Sequence, residues 1–206
     1  MKISRKTVVR CLFMCMFLIA FMSTQRINAE AASKKSQAIK AYKKFLSKKT
    51  INWNNGKKKV QSSKCKFGLV YIDKDSVPEL FVDASGAGTQ HIDGAYQLYT
   101  FRKGKVRLVC NITDMFSYYK KTGIFLTGTM LHGEYISYRK LTGASERLKL
   151  RTETVYSTQY FDAKNNKLTK AQFDLKLKKL VKKKKASIPK CYSNSAKNRK
   201  KLGRAF

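Results

Sequence analysis

The sequence predicts an α+β protein with an antiparallel β-meander core, flanked by an N-terminal and a C-terminal amphipathic helix. Between residues 66 and 161, apolar and polar side chains alternate in several segments, as in strands that are buried on one face. Short connections such as 102–105 and 142–145 separate these segments, and connections of this length join antiparallel strands. The segments before and after this region follow a helical period instead.

The first 31 residues have the order of a secretory signal peptide. Four basic residues precede an apolar stretch at 11–22, and small residues follow at 29–32. The apolar stretch is shorter than the ~20 residues that a membrane-spanning helix needs. We therefore expect cleavage after Ala31, with Ala29 as the alternative, and a secreted chain that has no transmembrane segment.

A single α+β domain is predicted over residues 32–185. The first helix can be capped by Ser33 or Ser36 and runs to about Lys49, and the last helix begins at Thr169, which forms a capping-box pattern with Gln172. Residues 186–206 are polar and basic, so we expect a disordered tail there. Strands are predicted at 67–72, 79–83, 96–101, 105–112, 124–131, 134–141, 147–154 and 155–161.

The chain is strongly basic, with 45 Lys and Arg against 12 Asp and Glu and a net charge of +33. Without residues 1–31 the charge is +29, and residues 164–204 alone hold 16 basic residues and one acidic residue. Such a charge attracts polyanions, so the expected partners are anionic cell-wall polymers or the membrane surface, with non-specific nucleic acid as a further candidate. The alternative is that the lysines only confer solubility. The residues predicted to contact polyanions are Lys182, Lys183, Lys184, Lys185, Lys200 and Lys201.

Five of the 12 acidic residues lie within 21 residues of chain: Asp73, Asp75, Glu79, Asp83 and Asp93. The first three belong to the segment 71–80, Tyr-Ile-Asp-Lys-Asp-Ser-Val-Pro-Glu-Leu. It resembles the D-x-D-x-D-G-x-x-[DE] calcium loops of dockerin, EF-hand and FG-GAP modules. The resemblance implies Asp73, Asp75 and Glu79 as calcium ligands, which suits a cation that takes six to eight oxygen ligands. The alternative is a structural turn in which Asp73 and Asp75 cap backbone amides and Pro78 starts an edge strand.

The same segment also resembles a group of exported clostridial (Firmicutes) proteins of unknown function. These proteins carry an Ile-Asp-x-Asp-x-x-Pro-Glu-Leu segment after a lysine-rich helix, and the likeness runs loosely from residue 42 to residue 180. The resemblance implies secretion but no activity.

Catalytic motifs are scarce. The sequence has no H-E-x-x-H, C-x-x-C or G-x-S-x-G pattern, and its two histidines, His91 and His132, lie far apart in the chain. An exported hydrolase with a site near His91 and Asp93 is the alternative function. Two further questions stay open at this point: whether Cys65 and Cys110 form a disulfide, and whether Trp53 belongs to a sugar-stacking surface or to the core.

The sequence therefore predicts a secreted, envelope-associated basic protein that binds anionic polymers, rather than an enzyme. Calcium is the one cofactor that it suggests.

Overall fold

The computed structural model describes residues 30–204 apart from 31, 90–93 and 131. Helix α1 covers residues 32–46, and its buried positions 38, 39, 42 and 46 have the spacing of one helical face. Helix α2 is Lys170–Val181, and both halves of the predicted capping box between Thr169 and Gln172 are present. Helix α3 is the short segment Ala196–Lys201.

Thirteen strands are present in the described part of the chain. The first seven are β1 (Thr50–Trp53), β2 (Lys58–Gln61), β3 (Lys66–Val70), β4 (Glu79–Asp83), β5 (Tyr96–Arg102), β6 (Lys105–Ile112) and β7 (Met115–Tyr119). The others are β8 (Ile124–Thr129), β9 (Glu134–Thr142), β10 (Ser145–Thr154), β11 (Thr158–Asp162), β12 (Lys167–Leu168) and β13 (Tyr192–Ser193).

The strands form two antiparallel meanders, which confirms the predicted fold class. One sheet has the order β13-β3-β4-β5-β6, the other has the order β12-β11-β10-β9-β8-β7, and β1 and β2 form a separate hairpin. Consecutive strands pair antiparallel throughout both meanders. Strand β4 lies between β3 and β5, so the expectation that Pro78 starts an edge strand is wrong. Pro78 lies just before β4, where its missing N–H interrupts no strand pairing.

Alternation within the strands divides the core into layers. In β4, Leu80 and Val82 pack in one cluster with α1 and the β1–β2 hairpin, whereas Phe81 between them packs in a second cluster with Phe116 and Phe125 of the other sheet. In β8, Phe125 joins this second cluster, whereas its neighbour Ile124 packs against the end of α2. Because neighbouring strand residues point to opposite faces, the order of layers is α1, five-stranded sheet, six-stranded sheet, α2.

The C-terminal segment differs from the disordered tail that we predicted over 186–206. Strand β13 pairs with β3, Asn194 is buried, and Leu202 is 1% exposed within the cluster that includes α1. The segment is ordered because several of its residues make apolar or polar contacts with residues that are far away in the chain.

Two strand regions, the β1–β2 hairpin and β7, were not predicted, although the sequence contains local features typical of each. The β1–β2 hairpin turns at Asn54-Asn55-Gly56, three residues with positive φ, and Asn and Gly are the residue types that tolerate this conformation. Strand β7 has Phe116 in the core between the sheets and Tyr119 on the opposite face, in a segment rich in aromatic residues.

Among the described residues, no helix is long and apolar enough to cross a membrane. The predicted signal peptide lies almost entirely outside the described residues, of which Glu30 is the first.

Candidate functional site

The loop between β3 and β4 brings the three predicted calcium ligands together. One carboxylate oxygen from each of Asp73, Asp75 and Glu79 lies within 4.8 Å of the others. Asp73 accepts a hydrogen bond from the backbone N–H of Asp75 at 3.0 Å, and Asp75 accepts one from the N–H of Val77 at 2.9 Å. These two successive turns hold both aspartates on the same side of the loop. We call this group of three carboxylates the acidic pocket.

Glu79 is the buried member of the acidic pocket. It begins β4, opposite Val70, and is 1% exposed. Its Oε2 accepts a hydrogen bond from the backbone N–H of Ile72 at 3.1 Å, whereas its Oε1 is buried without a partner. Burial, opposed by that hydrogen bond and reinforced by the charges of Asp73 and Asp75, raises the pKa of Glu79 from 4.5 to about 8.

Arg102, the last residue of β5, is the site residue that the sequence analysis missed. Its Nη2 lies 3.3 Å from Asp73 Oδ2 and 2.9 Å from Asp75 Oδ2, so one guanidinium nitrogen bridges both aspartates. Strand pairing places Arg102 at this end of the sheet, 29 residues along the chain from Asp73. The only available signal was the position of a basic residue directly after a predicted strand.

The acidic pocket therefore offers oxygen ligands only. Hard cations such as Ca²⁺ bind carboxylate and carbonyl oxygens, whereas Zn²⁺ favours His and Cys. Tyr42 closes the pocket from the side of α1, where its hydroxyl donates to the carbonyl of Pro78 at 2.8 Å. Desolvation, with the nearby charges of Glu79 and Asp75, raises the pKa of Tyr42, so its hydroxyl stays protonated.

The predicted polyanion contacts separate into two groups. Lys182–Lys185 follow the last turn of α2 and are exposed on the outer layer beside the six-stranded sheet. Lys200 and Lys201 end α3 and are also exposed, but α3 leads into Leu202, which is buried in the same cluster as Ile39 and Tyr42 of α1. The structure thus places these two groups on opposite outer layers of the protein.

Helices α1 and α3 form a joint basic surface. Lys43 of α1 donates to the carbonyl of Lys200 at 3.1 Å, at the C-terminal end of α3, where backbone carbonyls are free to accept. Gly203 follows at φ +87°, and Ile39 lies so close to it that a side chain there would contact Ile39 at 3.1 Å. Residues 32–46 and 190–204 contain no acidic residue. We define the α1–α3 basic surface by its exposed lysines Lys40, Lys44, Lys197, Lys200 and Lys201.

The residues of the alternative hydrolase, His91 and Asp93, lie outside the described residues, so that site stays a prediction.

Cys65, Cys110 and Cys191 are free thiols. Cys65 packs in the cluster with α1 and Cys110 in the cluster between the sheets, so they lie on different sides of the five-stranded sheet. Desolvation raises the pKa of Cys65 and Cys191 to about 11 and that of Cys110 to about 12, which keeps all three in the less nucleophilic thiol form.

Trp53 belongs to the core and not to a sugar-stacking surface. It is fully buried, and its indole N–H donates to the carbonyl of Gly94 at 2.7 Å.

An aromatic cleft of about 550 Å³ opens beside the two sheets, where Phe81 stacks between Tyr96 and Phe116. Its carboxylates, Asp83 and Asp114, already accept hydrogen bonds from neighbouring loops, so the cleft is mainly apolar.

Comparisons of the chain with protein-family models, with curated proteins and with solved structures gave no match. The likeness of residues 71–80 to calcium loops and to exported clostridial proteins therefore stays a prediction.

Proposed function

We propose that the protein is an exported, envelope-associated binding protein that holds anionic polymers through the α1–α3 basic surface. The observation that carries this proposal is the docking of α3 on α1, which joins the lysines from both ends of the domain into one surface. Export rests on the signal-peptide pattern of residues 1–31.

The docked helices hold the charges at fixed positions. Leu202 is buried against α1, and Lys43 binds the end of α3, so the exposed lysines project from ordered helices rather than from a mobile tail. Binding a polymer to such a surface costs less conformational entropy than ordering a mobile tail around it. Residues 32–46 and 190–204 contain no acidic residue, so neither segment supplies a carboxylate that would compete with phosphate groups for these lysines.

The second basic group favours a polymer over a small anion. Lys182–Lys185 lie on the opposite outer layer, so a small anion could contact only one of the two groups at a time. A long polyanion can contact both groups, or can be shared between two copies of the protein. Binding at both groups also relieves the mutual repulsion of a chain with net charge +29 after cleavage.

The test compares two variants of the mature chain, which is the chain without residues 1–31, and both variants carry the same net charge. The surface variant changes Lys40, Lys44, Lys197, Lys200 and Lys201 to Gln, and the control variant changes five exposed lysines elsewhere to Gln: Lys57, Lys59, Lys103, Lys105 and Lys120. Binding to a poly(glycerol phosphate) teichoic acid is measured at several salt concentrations. We expect the surface variant to bind more weakly and its salt slope to fall by roughly one unit for each lysine–phosphate pair that is removed, whereas the control changes little.

Equal losses of affinity in both variants would contradict the proposal, because binding would then follow overall charge and not this surface. Binding of the unchanged protein that resists high salt would contradict its electrostatic basis. Substitutions are preferable to truncation at residue 186, since truncation removes β13, Asn194 and Leu202 from the fold.

A further inference from the structure

The acidic pocket contains a buried oxygen that nothing in the described structure satisfies. Glu79 is 1% exposed, and its Oε1 has no hydrogen-bond partner. By contrast, both oxygens of Asp73 and of Asp75 are engaged by the loop amides and by Arg102. A buried carboxylate oxygen without a partner costs about 1–3 kcal/mol or more, so it calls for a proton, a water molecule or a cation.

We propose that the acidic pocket is a calcium site, in which the ion binds Asp73, Asp75 and Glu79 in competition with Arg102. This inference goes beyond the proposed function and does not depend on it. The site is formed by residues of the β3–β4 loop and β4, none of which is among the five lysines that define the α1–α3 basic surface.

The distances fit a shared ion. Calcium binds oxygens at about 2.3–2.6 Å, so two oxygens on the same ion lie at most about 5 Å apart. The three carboxylates meet this limit, since one oxygen from each lies within 4.8 Å of the others. The ligands come from an irregular loop, and calcium tolerates irregular geometry better than the smaller Mg²⁺, which demands a near-octahedral site.

Arg102 can give way to the ion. Its side chain is 38% exposed and borders an open cavity of about 720 Å³, which also reaches Asp75 and provides a path from solvent. The guanidinium contributes one positive charge to a pocket of three carboxylates, whereas calcium contributes two. Because Arg102 contacts the Oδ2 atoms of both aspartates, calcium has to displace the guanidinium to bind these oxygens, and Arg102 therefore lowers the affinity of the site.

The experiment uses the mature chain after treatment with a chelator. Binding of Ca²⁺ is measured through the melting temperature and by calorimetry. Binding of Tb³⁺ is measured through its luminescence under tyrosine excitation. Tyr42 is well placed to sensitise Tb³⁺, since its hydroxyl bonds to Pro78, directly before Glu79. We expect millimolar Ca²⁺ to raise the melting temperature and to displace Tb³⁺.

Three variants make the test specific. Glu79→Gln keeps an acceptor for the N–H of Ile72 and should weaken Ca²⁺ binding about tenfold or more, and Asp75→Asn should weaken it similarly. Arg102→Gln removes the competitor and should tighten binding severalfold. Asp162→Asn is the matched control, because Asp162 also accepts hydrogen bonds from its own turn, at Lys164 and Asn166, but lies outside the acidic pocket.

Several results would overturn the inference. One is an unchanged melting temperature of the unaltered protein in millimolar Ca²⁺. Another is a Ca²⁺ response that persists in both Glu79→Gln and Asp75→Asn, since the ion would then bind elsewhere. An equal response to Mg²⁺ would overturn the assignment to calcium. None of these results would alter teichoic acid binding through the α1–α3 basic surface, so the two proposals can fail separately.

Discussion

Replacing Asn194 by Ala should release the C-terminal segment from the rest of the fold. Asn194 is 4% exposed, and its Nδ2 donates to two buried carbonyls, to Leu46 at 2.9 Å and to Ser62 at 2.8 Å. Its Oδ1 accepts a hydrogen bond from Arg199 at 2.9 Å. One side chain thus connects the end of α1, the residue after β2 and helix α3.

The expected decrease in stability follows from these hydrogen bonds. A hydrogen bond contributes about 1 kcal/mol net, and each buried carbonyl left unpaired adds part of its desolvation cost. Two such carbonyls and the bond from Arg199 give a decrease of about 2–4 kcal/mol in the free energy of unfolding. Amide hydrogen exchange should also become faster at positions 194 and 202, whose backbone N–H groups bond to the carbonyls of Cys65 and Arg199.

The control is Asn198→Ala in the same segment. Asn198 donates through its Nδ2 to the carbonyl of Ser193 at 2.8 Å, but this bond is exposed. We expect it to change the free energy of unfolding by only about 0.5 kcal/mol or less, measured by urea denaturation. If Asn194→Ala destabilised the protein no more than Asn198→Ala, the argument that Asn194 anchors the C-terminal segment would be refuted.

Two other predictions concern the acidic pocket and helix α2. In metal-free buffer, the free energy of unfolding should decrease as the pH rises from about 4.5 to about 8, because Glu79 in the folded protein keeps a proton that the unfolded chain has released. The Glu79→Gln variant should show a flatter pH profile over this range. An equal slope in both proteins would contradict the assignment of this pH dependence to Glu79. Thr169→Ala should cost about 1 kcal/mol in urea denaturation by removing the capping box of α2, whereas Thr169→Ser should cost little, and equal destabilisation by the two variants would count against the cap.

Much of the fold could be predicted because its signals are local. The alternation in Lys105–Ile112 and the capping box at Thr169 lie within a few residues of chain, and the predicted element matches the observed one at β6 and at the start of α2. The acidic pocket was also predictable in part, since Asp73, Asp75 and Glu79 lie in one short loop. Helix and strand periods and turn chemistry require no knowledge of distant partners.

The sequence alone thus determined the α+β class, the order of most elements, the concentration of positive charge and three carboxylates of one loop. Only the tertiary structure decided that Arg102 faces those carboxylates and that α3 docks on α1. These interactions join residues that are 29 positions apart at Arg102 and Asp73, and 157 positions apart at Lys200 and Lys43. They depend on sheet register and on shape complementarity between layers, and neither property leaves a periodic pattern in the residues that interact.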